Sequence, residues 1–137
     1  MANTVAIQTI LDGPRNAVVK VTGTLDTSDL ANFVIADPAV MQGVDNTGAL
    51  KAAKLRLVRS EFFIKDTLEV SLLWDATVPV VIETLTGRGK LDAKDYQGLT
   101  NNAGAGVTGK ILLNTQGWVA SAVLFFTIVL HLEKQLT

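Results

Sequence analysis

"SAVLFFTIVLHLEK", residues 121–134, is the most apolar stretch of this 137-residue chain, and a membrane span, an interfacial helix and a buried strand compete for it. A spanning helix needs about 20 apolar residues. The run from Ala122 to Leu130 falls well short before His131, Glu133 and Lys134 interrupt it. Val123, Phe125, Phe126, Thr127, Ile128 and Val129 are β-branched or aromatic, side chains that suit a pleated surface better than a helix. Taken with a period of two, Leu124, Phe126, Ile128, Leu130 and Leu132 fall on one face. Val123, Phe125, Thr127, Val129, His131 and Glu133 fall on the other, which turns polar toward its end. The stretch predicts a long strand with one face in a core and the other partly covered.

The same period recurs outward from it. Val5, Ile7, Thr9 and Leu11 alternate up to the turn "DGPRN", Asp12 to Asn16, after which Ala17, Val19, Val21 and Gly23 alternate again. Residues 4–25 therefore predict a hairpin. "SDLANFVI", 28–35, fits a short helix or a strand, and strand is preferred; "ADPAVMQGVDNTG", 36–48, is a long connection. Leu55, Leu57 and Arg59 alternate with Lys54, Arg56 and Val58. Three further strands follow over about 61–65, 68–74 and 78–85, separated by turns at Asp66-Thr67 and Asp75 to Thr77. Leu68, Val70, Leu72 and Trp74 share one face. A short run at 90–93, a Gly/Asn-rich loop, a strand over 110–115 and the final strand complete the chain. Eight or nine strands with little or no helix point to an all-β fold. The expectation is one antiparallel β-sandwich domain over residues 1–137, jelly-roll-like, with a closed barrel as competitor.

Composition narrows the function. Twelve Lys and Arg stand against 13 Asp and Glu, with the signs interleaved, where a nucleic-acid binder would cluster positive charge. Charged residues make up 18% and apolar residues 48%. A chain so poor in charge either buries surface against copies of itself or another protein, or carries a polar Thr/Asn/Gly surface; composition leaves both open. No cysteine is present, so thiol catalysis and thiolate metal sites are excluded. No basic segment followed by an apolar core follows Met1, so no secretory signal is expected.

Several features imitate chemistry. "GAGVTGK", Gly104 to Lys110, satisfies G-x-G-x-x-G, but Ile111 stands where a phosphate loop needs Ser or Thr for magnesium. The segments around it read as loop and strand, without the helix whose N-terminus would face a phosphate. The single histidine, His131, has no nucleophile motif beside it, and one His with no Cys makes a zinc site improbable. The acids occupy turns and alternating strand positions, as solubility requires. No catalytic residue, cofactor or metal is expected. Trp74 reads as core, whereas Trp118 either caps one end of the sandwich or anchors a partner.

"ILDGPRNAVVKVTGTLDTSDL", "LLWDATVPVVIETLTGRGK" and "GLTNNAGAGVTGKILLNTQGW" resemble, over essentially the whole chain, small β-rich virion structural proteins of tailed bacteriophages, of the type of capsid decoration or cement proteins. None of these segments is a catalytic motif. The resemblance implies a non-enzymatic protein folded in the host cytoplasm and bound to the outside of the capsid, its partner the major capsid protein. It implies a homo-oligomer, trimer or dimer, that bridges capsomers, with no nucleic-acid or membrane partner. Met1, Ala2, Asn3 and Thr4, a polar end that would order on reaching a neighbour like Gln135 to Thr137 at the other terminus, are the candidate interface residues, together with Trp118. The alternatives are a neck, tail or fibre-base component and, further off, a carbohydrate-binding module. The latter would favour exposed aromatic platforms, and only 6% of residues are aromatic.

Overall fold

Nine strands carry the chain: β1 Thr4–Asp12, β2 Asn16–Leu25, β3 Phe33–Ala36, β4 Lys54–Ile64, β5 Glu69–Trp74, β6 Val80–Leu85, β7 Arg88–Asp92, β8 Ile111–Gln116 and β9 Leu124–Gln135. The structure is a computed structural model that describes residues 3–41, 43, 50–96, 98–119 and 123–135. Among these the helical elements are two single 3-10 turns, Pro38–Val40 and Lys94–Tyr96, and no helix is long and apolar enough to cross a membrane.

The strands form two antiparallel sheets, a five-stranded one in the order β1-β2-β9-β4-β7 and a four-stranded one in the order β3-β8-β5-β6. Their pairing is nested: β5 pairs with β6, β4 with β7, β3 with β8 and β2 with β9. The chain thus behaves as one long hairpin folded over on itself, with β1 added beside β2. The β5–β6 connection is its tip, and β2 and β9 are its open ends.

The two faces of β9 are as expected. Leu124, Phe126, Ile128, Leu130 and Leu132 are buried, while Thr127, Val129, His131 and Glu133 are half-covered and Phe125 is exposed. From the opposite sheet Leu68, Val70, Leu72 and Trp74, all buried, meet them in one continuous core. Burying side chains of this size on both inner faces supplies the main driving force for joining the sheets. Gly23 lies opposite Phe126 on β2, and a β-carbon there would overlap the phenyl ring. The glycine lets that ring lie flat across the neighbouring strand.

Three expectations change. The predicted strand over 28–35 contracts to Phe33–Ala36. Its first half is a loop pinned by side chains: Leu30 N donates to Thr115 Oγ1 at 2.7 Å, and Asn32, at φ 51°, occupies the left-handed region. The two runs at 54–59 and 61–65 are a single strand, β4, with a bulge between Leu57 and Arg59. Strict alternation would put Arg59 inside beside Leu55 and Leu57; the extra residue, Val58, reverses the phase. Ser60 and Ile64 now face inward and Arg59 and Glu61 outward. The strand predicted from 78 begins at Val80, leaving Val78 exposed in the preceding turn.

Candidate interaction site

Two of the three predicted interface residues that the structure describes, Asn3 and Trp118, bond to one connection, residues 26–32 between β2 and β3. Asn3 Oδ1 accepts from the backbone N–H groups of Asp26 at 2.9 Å and Thr27 at 3.0 Å. Its amide donates to the Ser28 carbonyl at 2.9 Å and to Ser28 Oγ at 3.3 Å. On the other side of the connection the backbone N–H of Trp118 donates to Asp29 Oδ1 at 3.2 Å, and the same oxygen accepts from Thr115 Oγ1 at 3.0 Å. The Trp118 ring is half-buried against the core, so it closes this end of the sandwich while part of it stays in contact with solvent.

The expected loose polar ends are corrected in part. Asn3 caps a turn, Thr4 opens β1 opposite Thr24, and the Gln135 carbonyl accepts from Ala53 N at 2.8 Å. Backbone and amide groups with fixed partners cannot wait for a neighbour to order them. Met1 and Ala2, like Leu136 and Thr137, lie outside the described residues.

Strand register maps the outer face of the five-stranded sheet. Across one end run Thr24, Phe125 and Thr4, then Ala6, Thr22, Thr127 and Phe63. Phe125 is 47% and Phe63 52% exposed, with Val123, just before β9, still more open. Lys65 Nζ lies 5.7 Å from the Phe125 ring centroid, a cation–π contact of modest worth at an exposed site. This end is apolar, threonine-rich and almost uncharged.

Toward the other end the same face becomes ionic. Arg59 Nη2 lies 3.2 Å from Glu61 Oε1, and His131 Nε2 lies 3.5 Å from the same oxygen. The β4 bulge makes this cluster, because without it Arg59 would point into the core. Beyond it a shallow hollow of about 780 Å³ is lined by Arg15, Arg56, Arg59, Lys94, Asp92 and Glu133, among others. Arg56 stands opposite Glu133, and Arg59 opposite Asp92, across paired strands. The acids thus offset much of the basic charge, and exposed pairs of this kind contribute little energy. The imidazole of His131 has a carboxylate on Nε2, which orients a ring but supplies no nucleophile. Among the described residues no three of His, Cys, Asp and Glu are grouped to hold a metal ion.

The glycine-rich loop serves the fold. Thr77 N donates to the Ala105 carbonyl at 3.0 Å, Thr108 N to the Asp75 carbonyl at 3.3 Å, and Thr108 Oγ1 to Asp75 Oδ2 at 2.7 Å. Gly106 and Gly109 adopt φ +81° and +85°, and a β-carbon on either would strike Thr77 or the Ala53 carbonyl. Gly106 permits close packing against the 75–77 turn and Gly109 against Ala53 and Pro38, and the chain then enters β8, a strand. Nothing in this geometry cradles a phosphate.

The exposed phenyl rings and the Arg59–Glu61–His131 cluster escaped the sequence reading. The alternation of β9 did place Phe125 and His131 on the non-core face, but partners drawn from β4 could not be read without the bulge. Compared with known proteins, the chain matches no family model, and no curated protein matches it.

Proposed function

We propose that this chain is a non-enzymatic structural protein of a tailed-phage virion, a decoration protein that binds the outside of the capsid and stabilises it by bridging capsomers. The observation that carries the reading is the placement of large apolar side chains in solvent. Phe63 and Phe125 stand exposed at one end of the outer face of the five-stranded sheet, and Val123, just before β9, is more exposed still. Groups of this kind on a small domain mark surfaces that are covered on assembly. The nested pairing of β2 to β9 fits a jelly roll, an architecture used in viral shells as well as in lectins. Two sheets locked over a continuous core make a rigid body. Rigidity suits a bridge, because a ligand that binds only the intact lattice stabilises it by mass action.

The partner in this reading is the major capsid protein, and the contact surface is the apolar, threonine-rich end of the outer sheet face together with the Trp118 cap. A neck, tail or fibre-base role would use the same scaffold in few copies. Quantitative mass spectrometry of washed particles of the encoding phage separates the two. A copy number equal to that of the major capsid protein, or a simple fraction of it, supports the decoration role. A few copies per particle assign it to the neck or tail. Absence from the particles sinks the virion reading.

A further inference from the structure

A two-sheet sandwich has four edge strands, each exposing backbone N–H and C=O groups that can pair with another chain, and natural proteins blunt such edges. Three of the four edges here are blunted. β3 has only four residues. β7 is short and carries Arg88, Lys90 and Asp92. β6 turns Glu83 inward, where Ser60 Oγ donates to its carboxylate at 2.7 Å, and its pairing with β5 is broken by a register shift between Leu72 and Leu73.

β1 shares only one of these guards, a register shift against β2 between Thr9 and Leu11. It is nine residues long, "TVAIQTILD", with no proline and no charge before Asp12, which Lys134 Nζ neutralises. Ile7, Ile10 and Leu11 are 46%, 55% and 50% exposed. Ile7 and Thr9 line a hollow of about 240 Å³ with Val34, Val40 and Met41. The edge thus offers a strand both an unpaired backbone and an apolar recess for its side chains.

The geometry points to β1 as a self-association edge: two copies of this chain pair β1 to β1 antiparallel across a two-fold axis and join their five-stranded sheets into one. A second copy fits because the strand is compatible with itself. Antiparallel pairing centred near Gln8 sets neutral residues against neutral residues and sends the two Asp12 carboxylates to opposite ends, each opposite Thr4 of the other copy. A contact of this kind is isologous and closes at two copies. The inference is independent of the capsid reading, since a dimer would form whatever the chain binds.

Sedimentation velocity of the full chain tests it, with the double variant Ile7→Lys, Ile10→Lys as comparison and circular dichroism as the check on folding. The parent should sediment as a dimer. The lysine variant should be folded and dissociate roughly a hundredfold more readily, because like charges then meet across the axis. The chain has no cysteine, so single cysteines at Ala6, Gln8 and Ile10 give a second readout that does not depend on the lysine variant folding. At least one of them, nearest the axis, should form an intersubunit disulfide under mild oxidation. A monomeric parent, a trimer, a dimer untouched by folded lysine variants, or the absence of cross-linking at all three positions would each overturn the assignment.

Discussion

Phe125 and Phe126 are successive residues of β9, yet one ring is 47% exposed and the other 1%. The difference arises from the pleat alone, which turns alternate side chains to opposite faces. Phe126 lies across Gly23 inside the sandwich, while Phe125 stands on the outer face between Thr24 and the Lys65 ammonium. Along this one strand the inner row holds two sheets together, while the outer row faces solvent in whole or in part. Identical chemistry at adjacent positions should yield opposite phenotypes.

The largest effect belongs to the inner row. Phe126→Ala removes a fully buried ring and should cost about 3–5 kcal/mol, measured as a lowered midpoint in urea with an unchanged slope. A loss below about 1 kcal/mol, the range of surface substitutions, would break the contrast and mean that the face assignment of β9 is wrong. Next comes a buried charge at the far end of the same row. The Lys134 side chain is wholly buried, and its Nζ reaches Asp12 Oδ1 and the Gly13 carbonyl, tying the β1–β2 turn to the last strand. Asp12→Ala leaves that ammonium in the interior without its carboxylate. Because Asp12 is partly exposed and the carbonyl remains, roughly 2–3 kcal/mol is expected, below the 3–5 of a fully enclosed pair. Thermal unfolding of the variant reads it directly.

How much of this was legible follows from distance along the chain. The period of two runs unbroken from Leu124 to Leu132, so strand, core face and the exclusion of a membrane-spanning helix were all readable there. The first hairpin was readable because its turn residues, Asp12 to Asn16, lie between its strands. β4 was not, because a bulge adds one residue without changing the residue types around it. Val58 looks like an ordinary strand residue, and Arg59 then appears in phase with Leu57. Everything that depends on that phase was hidden with it, including the meeting of Arg59 and Glu61 with His131. The nested pairing was equally hidden, since β2 meets β9 across nearly the whole chain and many strand orders satisfy the same alternation. Of the candidate interface, Trp118 was recognisable as a large aromatic beside a glycine. The polarity of Asn3 was read as looseness, whereas that polarity is what fastens it to Asp26, Thr27 and Ser28.

A smaller effect tests whether an inward-facing polar group belongs with the core or with the surface. Glu83 points between the sheets from edge strand β6, with Oε1 accepting from Ser60 Oγ and Oε2 buried without a partner. Burial raises its pKa above the ordinary 4.5, and the Ser60 hydrogen bond opposes that rise only in part. In the folded state the charged form is therefore disfavoured relative to the unfolded chain. Stability from this group is fully present below the ordinary value, where both states hold the proton, and is lost as pH rises through the raised folded value. Glu83→Gln keeps an acceptor for Ser60 and removes the charge. The variant should match the parent in acid, exceed it at neutral pH, and show a flatter stability profile between the two. A parent profile that rises with pH while the variant's is flat would show that the carboxylate is stabilised by a charge partner.

The smallest expected effect on the fold carries the most functional information. Phe125→Ser removes a half-exposed ring and one exposed cation–π contact, so it should lower stability by no more than about 1 kcal/mol. If the apolar end of the outer face is the capsid-binding surface, the same variant should bind undecorated capsids far more weakly, since a central aromatic anchor can carry several kcal/mol of an interface. Phe63→Ser, its neighbour across Thr127 on β4, tests the surface from an independent strand. Loss of binding in both variants with folding intact would separate the two rows of β9 by function as cleanly as the pleat separates them in space. Retained binding in both would remove this end of the sheet from the contact and leave the Trp118 cap as the surface to be mutated next.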